Sequence, residues 1–355
     1  MALVIATRYA SSRDELAAVL DALDEPAYRT EQVWHGLWQE RRPLEELTAL
    51  PRALRTELAT RLPLALAPVE VHDADRGTTR KWLWRTHDGA QVETVLMLTR
   101  NRATVCVSSQ AGCAMGCTFC ATGQAGFERH LEVGEIVEQV VRAQHDTETR
   151  VSNVVFMGMG EPLANLDAVE PAIRVLHDAF GLSARNVVVS TVGIVPGIRR
   201  LADFELPVTL AVSLHAPNDA LRETLVPINQ RYPIADVLDA ARAYAERKGR
   251  RVSFEYAVIP GVNDRDEHAE ALAARLRGFR GGAHVNLIPL NPTAGFGADR
   301  PDPRRVAGFA ARLRELGPTV TVRRNRGTDI DAACGQLRSR ALASAAEAPA
   351  ARMQP

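Results

Sequence analysis

Short apolar runs rich in β-branched residues alternate with helical patterns along most of this 355-residue chain. The runs fall at residues 104–107, 153–157, 186–190, 208–213, 252–259, 284–288 and 319–323. Helical patterns separate them near 133–145, 165–180, 197–203, 218–225, 233–248, 264–278 and 303–316. Near-continuous apolar strands that alternate with helices are typical of a parallel sheet covered on both faces. The sequence therefore predicts an α/β core, either a (β/α) barrel or an open sheet.

A different pattern precedes this core. Apolar residues at helical spacing, among them Val33, Leu37 and Trp38, predict short helices between residues 14 and 62. Two strand patterns over 81–98 flank Asp88-Gly89, a pair typical of a tight hairpin turn. We therefore expect four segments. They are a helical accessory domain over 1–70, a β-hairpin connector over 71–98, the α/β core over 99–340 and a disordered, Ala-rich tail over 341–355.

Composition narrows the class of protein without identifying a partner. Lys plus Arg and Asp plus Glu are each 43, so the formal net charge is zero and any basic surface must be local. No stretch approaches the roughly 18 uninterrupted apolar residues of a membrane span. The apolar run at 2–6 is too short for a secretory leader. We expect a cytoplasmic protein that contacts no membrane and acts as a monomer.

Polar residues that core packing does not explain follow the ends of five predicted strands. They lie at 113–120, 158–162, Ser190, 213–215 and Asn291. The carboxyl ends of parallel strands meet on one rim, and ligands bind at that rim in parallel α/β folds. Five separate segments that converge on one rim predict an enzyme with a single site there.

The five cysteines are distributed as a metal site would require rather than as a disulfide framework. Four lie within residues 106–120 and the fifth is Cys334. The motif C-x3-C-x2-C places Cys113, Cys117 and Cys120 on one loop. A [4Fe-4S] cluster usually takes four cysteines, so three ligands would leave one iron open to a reactant. Structural zinc is an alternative, but it prefers paired C-x2-C knuckles and four ligands. Buried thiols with no metal and no reactivity are a second alternative to the cluster.

The cysteine motif and four longer stretches resemble a known family. C-x3-C-x2-C after the first core strand is similar to the motif of the radical S-adenosylmethionine (SAM) superfamily. The residues at 106–113, 157–163, 213–216 and 329–336 narrow the resemblance to RNA adenine methyltransferases of the RlmN and Cfr type, most closely the RlmN branch. The likeness extends from Tyr28 to Leu337. It implies an incomplete (β/α)6 barrel with a small N-terminal helical domain and β-hairpin, open enough to admit a large RNA.

The resemblance also implies a role for individual residues. Three cysteines would hold the [4Fe-4S] cluster, and SAM would chelate its open iron. The cluster ligands are Cys113, Cys117 and Cys120, and the SAM pocket is formed by Gly160, Glu161, Ser190, Ser213, Leu214, His215 and Asn291. Cys334 would carry the methyl group, Cys106 would be its partner thiol and Glu93 the proton acceptor. Ordinary structural roles stay open for several of these residues, such as helix capping by Ser190 and Ser213 or packing of the His215 ring.

The chemistry explains why a methyl carrier is needed. The C2 atom of adenine is not nucleophilic, and a covalent thiol relay divides one difficult transfer into easier steps. The resemblance implies that a first SAM methylates Cys334 and that a second SAM, cleaved reductively, generates a radical on that methyl group. The methylene then adds to the ring, a base removes the C2 proton, and Cys106 releases the product.

The implied substrate is an adenine of 23S rRNA, unstacked so that it can enter the site. The resemblance leaves open whether the adenine beside the anticodon of tRNA is also a substrate, and it implies an electron donor such as flavodoxin or ferredoxin. Two basic runs could follow an RNA backbone, one at 247–251 and one at 323–326, although a solvated helix end explains the first equally well. Methylation of C8 of the same adenine is an alternative activity. An iron–sulfur or zinc RNA-binding module without methyl transfer is an alternative of another class.

Overall fold

Short helices begin the chain in the computed structural model, which describes residues 7–279 and 282–337. They are α1 (Arg13–Asp21), α2 (Tyr28–Trp34) and α3 (Arg52–Arg61). Ser12 and Glu15 form a capping box that starts α1. Val33, Leu37 and Trp38 are buried, as their spacing predicted, and they belong to the same continuous hydrophobic core as the sheet. The helices therefore pack directly on the α/β core.

Antiparallel strands connect these helices to the core. They are β1 (Leu66–Ala74), β2 (Thr79–Thr86), β3 (Gln91–Thr99) and β4 (Arg102–Cys106). β2 and β3 form the predicted hairpin, with Gly89 at φ +93° in its turn. β1 was not predicted, because most of its side chains are exposed or half-buried and give no alternating apolar signal. The boundary drawn at residue 70 falls inside this strand, and the division into four segments stays a prediction, with the tail over 341–355 outside the described residues.

The core alternates between helix and strand as predicted. A small hairpin of β5 (Gln110–Gly112) and β6 (Phe127–His130) comes first, with the single turn α4 (Ala121–Gln124) in its loop. The elements that follow are α5 (Val133–His145), β7 (Val151–Phe156), α6 (Leu166–Asp178), β8 (Val187–Thr191), α7 (Val195–Asp203), β9 (Thr209–Ser213), α8 (Asp219–Leu225), α9 (Ile234–Lys248), β10 (Ser253–Val258), α10 (Asp266–Arg275), β11 (His284–Pro289), α11 (Pro303–Glu315) and β12 (Thr319–Val322).

The described strands form one large sheet in the order β1-β2-β3-β4-β7-β8-β9-β10-β11-β12. β4 is the junction, because it pairs antiparallel with β3 and parallel with β7. From β4 to β12 every neighbouring pair is parallel, which confirms the predicted incomplete barrel. β12 is a short strand beyond the six that the barrel requires.

Irregular backbone, rather than strand pairing, spans the opening of this barrel. Residues 323–337, here called the closing segment, return from β12 to the antiparallel strands. Arg326 Nη1 donates to the Leu98 carbonyl at 2.6 Å, and the Gly327 amide donates to Asp75 Oδ2 at 2.9 Å. Lys81 Nζ donates to the Asp331 carbonyl at 3.4 Å. The segment that carries Cys334 is therefore also the segment that closes the barrel.

A glycine substitution tests this closure. Gly327 has φ +62°, and a Cβ there would lie 2.7 Å from Ala332 Cβ and 3.0 Å from Thr79 Cγ2. Gly249 also has φ +62° but has no neighbour within 4 Å of such a Cβ, so it is a matched control. Both Ala variants bear the left-handed backbone strain, and only Gly327→Ala adds an overpacking cost of about 1–3 kcal/mol.

We expect Gly327→Ala to unfold at lower denaturant than Gly249→Ala and to exchange the amides of 323–337 faster. Equal unfolding midpoints and equal exchange in the two variants would show that the closing segment is not held by this contact.

Candidate active site

The three cysteines of the motif lie on the loop between β5 and β6. The Cys113 amide donates to the Gly126 carbonyl at 2.7 Å, which closes the base of the loop. Gly112 has φ +73°, and a Cβ there would lie 2.1 Å from the same carbonyl oxygen. Only glycine fits this position, because both the backbone angle and the approach of the second strand exclude a side chain. The hairpin therefore holds the loop as a preformed structure.

The loop offers buried sulfur to a metal group. Burial raises the pKa of Cys113 to about 12 and that of Cys117 well above its usual value, and the neighbouring thiols add to the shift. Backbone N–H groups of Gly123 and Thr122 donate to the Cys120 sulfur. Buried thiolates that accept backbone N–H bonds are the usual environment of an iron–sulfur cluster. The donor set thus fits such a cluster, whose positive charge would stabilise the thiolates.

The spacing of ligands gives no support to a single zinc ion. Within 7–279 and 282–337, no three His, Cys, Asp or Glu side chains converge tightly enough to hold one metal ion. A Cβ on Gly123 would lie 2.9 Å from the Cys117 amide nitrogen, so the loop winds closely around its own cysteines.

No helix of the described part is long and apolar enough to cross a membrane.

The rim segments surround one cavity at the carboxyl ends of the parallel strands. Its lining includes Cys117, Cys120, Gly160, Glu161, Ser190, Ser213, His215, Asn291 and Cys334. Leu214 is completely buried beneath it, and Cys113 does not line it. We call it the rim cavity. The structure brings the predicted residues together, and the individual roles assigned to them stay predictions.

Glu161 is held rigidly beside the motif cysteines. Its Oε1 accepts the Leu163 amide at 3.0 Å and its Oε2 accepts the Val192 amide at 2.9 Å, so one carboxyl group joins the ends of two strands. Burial raises the pKa of Glu161 to about 7. Gly160, with φ +100°, turns the chain just before it, and a Cβ there would lie 2.6 Å from Gln110 Cβ.

His215 has an uncommon backbone conformation, and its ring packs against the cysteine loop. The residue has φ +61°, which is uncommon for a residue with a Cβ. Its Nδ1 accepts the Ala257 amide at 2.9 Å, and its ring meets Phe119 of the cysteine loop edge to face. Burial lowers the pKa of His215 to about 3, so the imidazole is neutral at pH 7. The ring thus supports the loop from below.

Cys334 is attached to both the rim and the cysteine loop. Asn291 Nδ2 donates to the Cys334 carbonyl at 3.1 Å, and the Asn291 Oδ1 accepts Asn325 Nδ2 at 2.6 Å. The Ala121 amide, directly after Cys120, donates to the Gly335 carbonyl at 2.8 Å. The closing segment and the cysteine loop are therefore hydrogen-bonded to each other.

The two thiols outside the motif share a second, smaller cavity, the thiol cavity. Cys106 and Cys334 both line it, together with Val95 and Met157. Arg323 also lines it, and its guanidinium lies beside both sulfurs. Burial raises the pKa of Cys106 to about 12. Cys334 lines the rim cavity as well, so this one thiol faces both compartments.

Glu93 does not line the rim cavity. It is buried on β3 and forms an ion pair with Lys81 at 2.9 Å between Oε1 and Nζ. The same Lys81 nitrogen donates to the Asp331 carbonyl of the closing segment. Lys81 thus connects the predicted proton acceptor to the segment that carries Cys334.

Two charged residues of the site were missed by sequence reasoning. Arg222 is completely buried and donates to the carbonyls of Leu214 at 3.1 Å and Ser213 at 3.3 Å. Glu255 lines the rim cavity and accepts Asn286 Nδ2 at 2.6 Å. Arg222 lies on a polar helix and Glu255 in an apolar strand run, and neither had a sequence signal beyond its charge inside a core element.

Similarity to known proteins is extensive. The radical SAM superfamily model matches residues 107–273. A probable dual-specificity RNA methyltransferase RlmN of Parafrankia sp. (strain EAN1pec) is 53% identical over 92% of this chain and 90% of that protein. The protein of the same name from Frankia alni is 54% identical over 92% of this chain and 81% of its own length.

A solved structure is similar over nearly the same length. The crystal structure of a radical SAM methyltransferase from Sphaerobacter thermophilus has a TM-score of 0.88 and 49% identity, covering 94% of this chain and 99% of that one. That solved structure therefore shares the fold of this chain over more than nine-tenths of its length. The chain therefore belongs to the radical SAM superfamily and, within it, to the RlmN family.

Proposed function

We propose that this chain is an RNA methyltransferase that methylates C2 of an adenine in 23S rRNA through a methyl group carried on Cys334. One observation carries the proposal: Cys334 lines both the rim cavity, with two motif cysteines, and the thiol cavity, with Cys106. A carrier thiol must reach the methyl donor on one side and a resolving thiol on the other. The relatives are named as RNA methyltransferases, which supports RNA as the substrate.

The cofactors of a radical SAM protein are a [4Fe-4S] cluster and SAM. Cys113, Cys117 and Cys120 would hold the cluster. When bound, the cluster and SAM supply the methyl group and the radical chemistry that ordinary side chains lack. An electron donor of the flavodoxin or ferredoxin type would reduce the enzyme, which we propose acts as a cytoplasmic monomer.

The chain's own residues position and resolve the intermediate. Asn291 and the Ala121 amide hold the backbone carbonyls of Cys334 and of Gly335, the residue after it. Once Cys334 is joined to the adenine through its methylene, Glu93 takes the C2 proton. Cys106 then loses its thiol proton and its sulfur attacks the Cys334 sulfur, which forms a disulfide and breaks the carbon–sulfur bond. The electron pair of that bond leaves on the methylene carbon, which takes up a proton and becomes the methyl group of the product. Burial keeps Cys106 protonated beforehand, so it does not compete for the methyl group.

The substrate must present a single unstacked adenine, because the thiols lie inside the barrel opening. The dual specificity in the relatives' names supports a second RNA substrate, and we propose the adenine beside the anticodon of tRNA.

The cluster assignment is tested by removing one ligand. We expect anaerobically purified protein to be brown, with about four irons per chain, and Cys117→Ala to lose the colour, the iron and SAM cleavage together. Cys334→Ala is the matched control, because it removes a thiol of the same site that is not a ligand. Iron content and the visible spectrum decide the matter. Stoichiometric zinc without iron in the anaerobic wild type would contradict the assignment.

The thiol relay is tested by substituting Cys334 and Cys106 in separate variants. We expect Cys334→Ala to lose RNA methylation and keep the cluster. In Cys106→Ala the adduct can form but is not released, so a covalent protein–RNA species should accumulate. Denaturing gels with labelled RNA and mass spectrometry of the Cys334 peptide measure both. Equal, adduct-free inactivity of the two variants would argue against a resolving role for Cys106.

The regiochemistry is tested on the product. Digestion of RNA treated with the enzyme should yield 2-methyladenosine, identified by mass spectrometry against a standard. Finding 8-methyladenosine alone would replace the proposed C2 activity by C8 methylation. RNA binding without any methylated nucleoside, from protein that cleaves SAM, would leave only a binding module.

A further inference from the structure

A second large opening lies at the other end of the barrel, where the parallel strands begin. Its volume is about 780 Å³, and the starts of β4, β8, β9, β10 and β11 surround it. Seven arginines line it: Arg102, Arg185, Arg250, Arg251, Arg323, Arg324 and Arg326. We call it the arginine cavity. Members of both basic runs of the sequence lie here, whereas Arg247 pairs with Asp203 and Lys248 bonds the Phe204 carbonyl elsewhere.

These arginines are not neutralised by the protein. In residues 7–279 and 282–337, none of the seven forms an ion pair, although the chain as a whole has equal numbers of both charges. Glu255 is the lone carboxylate in the described lining, and it is buried against Ser253 and Asn286. Burial and the neighbouring Arg185 lower the pKa of Arg250. Like charges held this close are unfavourable until an anion enters between them.

Four of the arginines are also free of hydrogen bonds. In the described part of the chain, the side chains of Arg102, Arg185, Arg251 and Arg324 make none, and all four residues are exposed. Arginine side chains with a structural role bond carbonyls or carboxylates, as Arg326 does with Leu98. Exposed and unbonded guanidinium groups around a concave opening are the arrangement that binds phosphate.

The arginine cavity is continuous with the site already described. Met157, Glu255 and Arg323 line both it and the rim cavity. Arg323, Arg324 and Arg326 line both it and the thiol cavity that holds Cys106 and Cys334. The three cavities therefore adjoin one another in a series from the arginines, past the two thiols, to the cysteine loop, and we call this series the passage.

We propose that RNA enters at the arginine end, opposite the cysteine loop, and that the phosphates flanking the target nucleotide bind Arg102, Arg185, Arg251 and Arg324. This inference rests on the proposed function and specifies the surface that the substrate uses. The target base extends into the passage and meets Cys334 from below, while the methyl donor is held at the rim. Nucleic acid fits this surface better than an acidic peptide, because phosphates repeat at short intervals and the flipped base fills the passage.

A charge-matched pair of variants tests the entry surface. The first carries Arg102→Gln, Arg185→Gln and Arg251→Gln, which removes three exposed arginines of the cavity and leaves both thiols and the cysteine loop intact. The control carries Arg199→Gln, Arg275→Gln and Arg304→Gln, three exposed arginines on α7, α10 and α11 that form no ion pair in the described structure. Both lose the same charge.

Binding of a labelled 23S rRNA fragment is measured by fluorescence anisotropy across a range of salt concentrations. We expect the cavity variant to bind roughly tenfold or more weakly, with a salt slope reduced by about 2 to 3, and the control to bind as the wild type. Methylation of Cys334 by SAM without RNA, read by mass spectrometry, should be unchanged in both. Equal affinity and slope for the cavity variant would overturn the proposal, and so would tighter binding of polyglutamate than of RNA.

The two proposals fail in different ways. If the cavity variant loses RNA affinity while the wild type never methylates C2, the entry surface stands and the proposed activity does not. If the wild type methylates C2 and the cavity variant does so with unchanged RNA affinity, the activity stands and the entry surface is wrong.

Discussion

The closure of an open parallel sheet by irregular backbone is the constraint on which the rest of this molecule depends. β12 and β4 do not pair in the described sheet, and a strand ladder is replaced by hydrogen bonds between residues 323–337 and Leu98, Asp75 and Lys81, of which Lys81 is a donor. A strand there would seal the barrel and fix each residue in a regular ladder. Irregular backbone held by single hydrogen bonds to several elements opens locally at a lower free-energy cost than a strand ladder, and segments of this kind carry the elements of a protein that must move. The carrier role proposed for Cys334, which lines both cavities, requires that freedom.

The buried guanidinium of Arg222 connects two loops at the rim of the barrel. Arg222 donates to the carbonyls of Ser213 and Leu214, at the end of β9, and to that of Val192, which follows β8. Carbonyls at strand ends have no partner in the sheet, and leaving them buried and unbonded costs roughly 1–3 kcal/mol each. One cation satisfies three of them and thereby holds two loops of the cavity together. Under the proposed function, the rim loops held by Arg222 would face the methyl donor, and the irregular closing segment would carry the methyl group.

Periodicity predicted most of the fold because the core elements are strongly patterned. The helix predicted near 133–145 is α5. The strand predicted at 186–190 is β8, which is displaced by one residue to 187–191. β1 was missed because its side chains are largely exposed, and the β5–β6 hairpin because strands of three and four residues are too short for a periodic signal. Arg222 and Glu255 were missed because partners distant in sequence, not local pattern, permit their burial.

The net charge of the whole chain gave no indication of its basic surface, because that surface too depends on residues distant in sequence. A net charge of zero is a sum over all surfaces, whereas a channel responds to the charges that face it. Most arginines on the outer helices face carboxylates, such as Arg200 with Asp167 and Arg312 with Glu270, and their fields cancel locally. Four arginines of the arginine cavity lie at the starts of strands and three lie on the closing segment, and Glu255 is the lone carboxylate in the described lining. The parallel topology gathers them at one end of the barrel, as it gathers the cysteine loop and the rim residues at the other. If RNA enters as proposed, two reactants of different chemistry reach the Cys334 thiol from opposite ends of the barrel.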